Sequence, residues 1–238
     1  MLLVSVQKRA LSEAVGTAFL LATVVGSGIM GERLAGGNVA IALLANTIAT
    51  GAGLVALILT FGPISGAHFN PVVTLADAWE GGLAWTAVPV YLVAQVLGAL
   101  VGVAAAHAMF GEAVFSASQH VRAGASQIFS EFVATFGLLS VIWGVSRRNA
   151  SFTPFAVGAY ITAAYWFTAS TSFANPAVTL ARSLTNTFSG IRPTDAPGFM
   201  AAQVAGAVAA TALFKFLVPR ASAEASRVEA ATTVKEVA

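Results

Sequence analysis

Six long apolar segments dominate this sequence and restrict its fold more strongly than any other feature. Each segment approaches the roughly twenty residues that a helix needs to cross a bilayer. Only 9% of the 238 residues are charged, whereas about a quarter of the residues in a soluble domain are charged. We therefore predict an all-α membrane protein with six transmembrane helices, at residues 10–31, 38–61, 84–110, 125–146, 154–171 and 197–218.

The composition also excludes several kinds of function. The chain has no cysteine, which removes disulfides and thiolate metal sites. A net charge of +2 is too small to indicate nucleic acid as a partner. The sequence contains no nucleophile–base set, phosphate-binding loop or cluster of metal-ligand residues. We therefore expect neither enzyme activity nor a metal or cofactor.

Two further apolar stretches, at residues 69–79 and 175–187, are too short to cross a bilayer. Each contains or begins at an Asn-Pro pair, Asn70-Pro71 in the first and Asn175-Pro176 in the second. Proline is favoured in the first turn of a helix, where its missing N–H costs nothing. We therefore predict two half-helices that enter the membrane without crossing it.

The same landmarks occur in the same order in both halves of the chain. Because each half contains three spans, the two copies form an inverted repeat, and their half-helices enter from opposite faces and meet near the midplane. We place the repeats at about residues 8–111 and 125–218 of one channel domain, residues 1–220. The matching landmarks are Ser12-Glu13 with Ser130-Glu131, Thr17 with Thr135, Asn70–Ala76 with Asn175–Ala181, Gln95 with Gln203, and Gly98 with Gly206.

The placement of Lys and Arg predicts the orientation in the membrane. With six spans, eight of these residues fall on one side and four on the other, and the excess marks the cytoplasmic side. Both termini should then lie in the cytoplasm. We expect the membrane to be a plasma or inner membrane. Residues 221–238 are rich in Ala, Glu, Ser and Val, a composition typical of a flexible tail.

The two Asn-Pro motifs resemble those of the aquaporin and aquaglyceroporin (major intrinsic protein) family. The resemblance covers about residues 8–218, and two such motifs at equivalent places are far more specific than one. It implies the aquaporin fold and a homotetramer in the lipid bilayer, with a pore through each subunit. The motifs read Ser65-Gly66-Ala67-His68-Phe69-Asn70-Pro71-Val72 and Phe173-Ala174-Asn175-Pro176-Ala177.

The half-helix N-termini explain how such a pore would select its solutes. Each carries unpaired N–H groups and a partial positive charge. The amides of Asn70 and Asn175 would orient a passing oxygen atom, while the facing dipoles repel cations. The simpler alternative is that each Asn only caps its helix. Val72 departs from the alanine that the family usually has in this motif.

A second constriction of the family usually includes an arginine three residues after the second Asn, where this chain has Val178. By the family's spacing the other contributors are Thr50, Ala163 and Ser172, none of which is aromatic or charged. Without the guanidinium we expect a wider filter with fewer donors. If the loop before Ser172 differs in length, the place of Ala163 falls to Tyr160, Tyr165 or Trp166.

Charged residues near the half-helices have two interpretations each. Arg182 lies four residues after Val178, on the same helix face, and is a candidate to refill the gap, or else a solvated charge. Asp77 is its equivalent in the first repeat. It is either a charge that guides polar solutes at the pore mouth or, as the simpler interpretation, a solvated charge. His68 is expected to line the cytoplasmic half of the pore, as a fixed donor or as a pH gate.

Glu13 and Glu131 lie inside apolar spans, where ionised groups are costly. In the family, such glutamates accept hydrogen bonds from the half-helix loops and hold them in place. The alternative interpretation is a proton relay.

The sequence thus predicts a passive channel for water and small uncharged solutes, such as glycerol and urea. A weaker resemblance to the bacterial arsenic-operon branch adds neutral or methylated arsenicals. The alternatives are a water-selective aquaporin and, more distantly, an ion-coupled secondary transporter, which would need an ionisable pair that exchanges partners at the midplane.

Overall fold

The computed structural model describes residues 4–218, so the predicted tail at 221–238 lies outside the described residues. This part of the chain is helical and contains no strand. Six helices are 15 residues or longer, and two are short, with nine and seven residues. The helices are α1 (Val6–Leu34), α2 (Val39–Ser65), α3 (Pro71–Trp79), α4 (Val88–Phe110), α5 (Ala125–Asn149), α6 (Thr153–Phe167), α7 (Pro176–Arg182) and α8 (Ala196–Leu217).

The long helices run back and forth between two ends of one bundle. At the end that we call the Arg33 end, the guanidinium of Arg33 on α1 donates to the Phe110 carbonyl of α4 at 2.9 Å. At the opposite Arg147 end, Arg147 of α5 donates to the Phe214 carbonyl of α8 at 2.5 Å. These contacts place successive helix ends alternately at the two ends of the bundle.

By length and composition, five helical stretches in the described part of the chain could cross a membrane. One of them, Ala125–Phe167, has 43 residues because only a single 3-10 turn separates α5 from α6. The chain reverses at that turn, since the Tyr160 hydroxyl of α6 donates to the Ala134 carbonyl of α5 at 3.0 Å. This stretch therefore forms two antiparallel helices.

The two halves pack in the same way. In the first half, α1 lies against α2 and α4, and in the second half, α5 lies against α6 and α8. Glycines make the closest approaches: a Cβ added at Gly98 would lie 3.0 Å from the Ala14 Cα, and one added at Gly206 would lie 3.0 Å from the Phe136 N. Small residues of this kind let membrane helices touch through their backbones.

We expect Gly98→Ala to destabilise the protein by about 1–3 kcal/mol, since the added methyl has no room against the α1 backbone. The thermal unfolding midpoint of the purified protein in detergent measures this effect. Gly62→Ala on α2 is the matched control, because a Cβ there meets nothing within 4 Å. Equal midpoints for the two variants would contradict the close packing of α1 and α4.

Both short helices begin where the two halves meet, and they point to opposite ends. Beyond the end of α3, Glu80 binds the Arg147 guanidinium at 2.6 Å, and beyond the end of α7, the Leu184 carbonyl accepts from the Ser116 N–H of the loop at the Arg33 end. The apolar stretch predicted at 175–187 is helical only to Arg182.

The span predicted at 154–171 also ends early, because α6 stops at Phe167. The Thr168 hydroxyl donates to the Ala164 carbonyl at 2.6 Å, which competes with helix continuation. Thr171 then has a positive φ of 61°, a conformation that a helix does not accept.

Candidate functional site

A buried glutamate holds the loop that leads into α3. Glu13 on α1 has no exposed surface, and its carboxylate accepts from the N–H groups of His68 at 2.9 Å and Phe69 at 2.7 Å. The Ser65 hydroxyl donates to it at 2.6 Å and the Gln95 amide at 2.8 Å. The loop is therefore fixed mainly through its own backbone.

The second repeat builds the same arrangement. The buried carboxylate of Glu131 on α5 accepts from the N–H groups of Phe173 at 2.8 Å and Ala174 at 2.9 Å. The Gln203 amide of α8 donates to it at 2.6 Å and also to the Thr179 hydroxyl at 2.9 Å. Gln95 makes the equivalent bond to Thr74 in the first repeat, so each glutamine joins a long helix to a short one.

These loops carry backbone strain. Five residues other than glycine have a positive φ between 47° and 61°, and each such conformation costs on the order of 1 kcal/mol or more. The glutamate contacts hold the loops in this shape, which turns their carbonyls toward the opposite loop. The five residues are Ala67, Phe69, Thr171, Ser172 and Ala174.

The two asparagines cap their own helices and bind across to each other's loop. The Asn70 carbonyl oxygen Oδ1 accepts from the Val72 N–H at 3.1 Å, and its amide donates to the Ala174 carbonyl at 2.7 Å. Asn175 caps Ala177 and donates to the Phe69 carbonyl at 2.7 Å. A side-chain amide has two N–H bonds, so each Asn keeps one for another acceptor.

A cavity of about 850 Å³ runs past this pair of amides. It is lined by both asparagines, by the strained loops and, on other sides, by apolar side chains from α1, α2, α5 and α6. It extends from Arg147 at one end of the bundle to Arg182 on α7 at the other. The cavity wall thus combines a few polar groups with a larger number of apolar side chains, as is typical of ligand and solute sites.

Toward the Arg33 end, the cavity is lined by Thr50, Tyr165, Ser172, Val178 and Arg182. The Thr50 and Tyr165 hydroxyls lie 3.3 Å apart. The buried Ser172 hydroxyl has no hydrogen-bond partner within residues 4–218. Val178 is only 5% exposed. Four of the residues expected near the filter are therefore together, with a tyrosine added.

Ala163 does not belong to this group. It is exposed and absent from the cavity wall, because the cavity face of α6 follows Val157, Ile161 and Tyr165 at helical spacing. A residue two positions from Ile161 points to the opposite side of the helix. Tyr165, one of the three alternatives to Ala163, lines the cavity beside Thr50 instead, so an aromatic side chain is present where Ala163 was expected.

Toward the Arg147 end, the cavity is lined by His68, Asp77, Glu80 and Arg147. The His68 Nδ1 lies 3.1 Å from the Thr74 hydroxyl, and its Nε2 lies 3.5 Å from an Asp77 carboxylate oxygen. Asp77 therefore faces the histidine rather than being simply solvated. This end carries charges of both signs.

Two features of the site were missed by the sequence reasoning. Gln95 and Gln203 were identified only as matching landmarks of the two repeats, although they bind the buried glutamates. Their recurrence in the same order as Glu13 and Glu131 was the available signal. The contact of Phe173 with Arg122 had no signal in the repeat, because Arg122 lies in the loop before the second repeat. The contact of Phe173 with Arg182 had no counterpart in the first repeat, where the equivalent residue is Asp77.

Comparisons with known proteins agree with this geometry. A family model described as "Major intrinsic protein" matches residues 2–172 and 150–237. Aquaglyceroporin AqpS of Rhizobium meliloti (strain 1021) is 55% identical over 210 residues, which are 88% of this chain and 90% of that protein. Aquaporin NIP1-3 of Oryza sativa subsp. japonica is 33% identical over 180 residues, 73% of this chain and 62% of that protein.

A solved structure has the same fold. The X-ray structure of the aquaglyceroporin from Plasmodium falciparum superposes with a TM-score of 0.70 over 92% of this chain and 98% of that one, at 22% identity. At this identity the likeness shows the fold alone. Taken with the matching family model, it makes this chain a member of the major intrinsic protein family, a family of channels rather than enzymes, and a multi-pass membrane channel for water and small solutes.

Proposed function

We propose that the chain is an aquaglyceroporin-like channel that lets water and uncharged solutes such as glycerol and urea pass down their gradients between Asn70 and Asn175. The observation that carries this proposal is the cavity that runs past both amides. Each amide is held by a cap bond and a cross-loop bond, so its remaining N–H has a fixed direction. A fixed donor in a narrow apolar passage favours solutes with an oxygen acceptor.

The membrane arrangement follows from the two ends of the bundle. Six helices cross the membrane as two inverted repeats, and α3 and α7 enter as half-helices from opposite faces. The chain lies in the plasma or inner membrane of a cell. Its Arg147 end faces the cytoplasm, because this end carries the larger number of basic residues. We also propose a homotetramer, as the family resemblance implies. Within residues 4–218, the basic residues at the Arg147 end are Lys8, Arg9, Arg147, Arg148 and Lys215, against Arg33, Arg122, Arg182 and Arg192 at the other.

In this channel Glu13 and Glu131 act as scaffolds. A proton relay or a coupled transporter needs a carboxylate that changes partners, whereas both of these accept from backbone N–H groups of the strained loops. His68 is a fixed polar group of the pore wall, oriented by Thr74. Pro71 and Pro176 start the half-helices.

The solute range depends on the group of residues at the Arg33 end. Val178 and Ser172 are small and leave space on the α7 side, which favours passage of glycerol, urea and neutral or methylated arsenicals. Tyr165 and Arg182 fill space on other sides, and this observation favours the second candidate, a water-selective aquaporin. Because Val178 carries no guanidinium, the α7 side of the cavity stays open, and this supports the wider solute range.

Uptake of radiolabelled glycerol into proteoliposomes tests passive permeation against coupled transport. We expect uptake that stops at equal concentrations inside and outside, with a rate unchanged by imposed proton or sodium gradients. Accumulation above the external concentration under either gradient would contradict a channel. Glycerol uptake no faster than in protein-free vesicles, with rapid water flow, would instead identify the water-selective form.

A further inference from the structure

Arg182 is held in an unusual position for a charged residue at the end of a short helix. It is only 2% exposed and lines the cavity beside Val178. Its guanidinium carbon lies 3.4 Å from the centre of the Phe173 ring, and its Nε donates to the Ser189 carbonyl. The solvated charge expected as an alternative is therefore excluded by burial.

The guanidinium has hydrogen-bonding capacity to spare. It carries five N–H bonds, and within the described residues only Nε has a protein acceptor. The side chain lines the cavity, so its Nη groups can donate hydrogen bonds to a solute in the cavity. The Tyr165 side chain lines the same cavity and lies 3.3 Å from the Thr50 hydroxyl through its own hydroxyl. Donors from Arg182 and Tyr165 thus line the same segment of the cavity.

A second arginine supports this placement from the loop before α5. The Arg122 guanidinium carbon lies 5.1 Å from the Phe173 ring centre, and its Nε donates to the Gly190 carbonyl at 2.8 Å. The Arg122 backbone N–H donates to Asp195 at 2.9 Å, and a hydrogen bond from the Arg192 side chain lowers the pKa of Asp195 below its ordinary value. Arg122 is therefore a positioning residue for the Phe173 ring.

We infer that Arg182, stacked on Phe173, supplies the fixed positive charge and the oxygen-directed donors of the filter, one helical turn beyond Val178. Because the charge lies one turn away, the gap beside Val178 stays open for solutes larger than water. The charge still repels inorganic cations and hydronium along the same passage. The solute class is thus neutral molecules with oxygen acceptors. This inference rests on the proposed channel function.

Arg182→Met tests the inference, since methionine keeps much of the stem but removes charge and donors. We expect potassium and proton leak through proteoliposomes to rise roughly tenfold or more, because a fixed unit charge beside the passage is lost. Arg182→Lys should restore exclusion of both ions. Arg33→Met is the matched control at the same end of the bundle, where Arg33 is 49% exposed and paired with Glu112.

If folded Arg182→Met leaks ions no faster than wild type, the inference is overturned. It is also overturned if Arg33→Met leaks ions as fast as Arg182→Met. If Arg182→Met does not fold, Phe173→Leu removes the ring on which Arg182 stacks and keeps the charge. It should change the ratio of glycerol to water permeability, by roughly threefold or more, and an unchanged ratio would overturn the inference. Wild-type vesicles that pass neither water nor glycerol would instead refute the proposed channel function.

Discussion

Val178→Arg is expected to lower glycerol permeability by at least about tenfold, whereas water permeability should fall by less than about threefold. Val178 is 5% exposed and lines the cavity on the α7 side. A guanidinium at this position would occupy the gap and add donors that bind water well. Stopped-flow light scattering on proteoliposomes, with glycerol and an impermeant sugar as osmolytes, measures both permeabilities.

Two variants separate the effect of volume from the effect of charge. Val178→Leu adds one methylene and should change the glycerol rate less than the arginine does. The double variant Val178→Arg with Arg182→Met keeps the number of charges constant. Its filter should remain narrow, so its glycerol permeability should stay as low as that of Val178→Arg alone. If Val178→Arg leaves glycerol permeability at the wild-type value, Val178 does not set the width of the filter.

Glu131→Ala is expected to cause the largest loss of stability. The substitution leaves the buried N–H groups of Phe173 and Ala174 and the Gln203 amide without their acceptor. Buried donors without partners cost about 1–3 kcal/mol each, so the total loss should be about 3 kcal/mol or more. The strained loop before α7 would also lose its support. The yield of monodisperse protein and its thermal unfolding midpoint measure the effect.

Glu112→Ala provides the control for this prediction. Glu112 is a carboxylate of the same chain that is 39% exposed and pairs with Arg33 at 2.8 Å. Exposed pairs contribute about 1 kcal/mol or less, so this variant should unfold near the wild-type temperature. Glu131→Gln should fall between the two, because it keeps one acceptor oxygen. A midpoint for Glu131→Ala equal to that of Glu112→Ala would rule out the scaffold role.

The two short helices and their capping asparagines were predictable because their signals are local. An Asn-Pro pair before a short apolar stretch marks a cap and a first turn, and the structure begins α3 at Pro71 and α7 at Pro176. The cross-loop bonds from each asparagine to the opposite loop were not predictable. They depend on positive φ values at Phe69 and Ala174, which long-range contacts to the glutamates impose.

The candidate filter residues show where assignment by the family's sequence spacing stops being reliable. Thr50 and Val178 both line the cavity, and each lies within a helix whose register is clear from the sequence. Ala163 was counted backwards across the loop between α6 and α7. Because α6 ends at Phe167, the count crosses an irregular segment, and such a count does not show which face of α6 lines the cavity. Long-range contacts of α6, such as that of Tyr165 with Thr50 and that of Tyr160 with Ala134, fix its register.

The sequence identified Arg182 as a candidate filter residue but did not determine where its side chain lies. Helical spacing put it on the face of Val178, and the alternative of a solvated charge was equally compatible with that spacing. The deciding contacts, with Phe173 and Ser189, come from loops on either side of α7. Such contacts have no periodic pattern in a sequence, so only the folded chain reveals them.

The most direct test of the central claim follows the volume of wild-type proteoliposomes after mixing with concentrated glycerol and, separately, with a potassium salt. The paired amides and the open gap at Val178 predict rapid shrinkage in both, followed by re-swelling with glycerol alone, at least about tenfold faster than in protein-free vesicles. Re-swelling with glycerol at the protein-free rate, or with the potassium salt, would contradict a channel for small uncharged solutes.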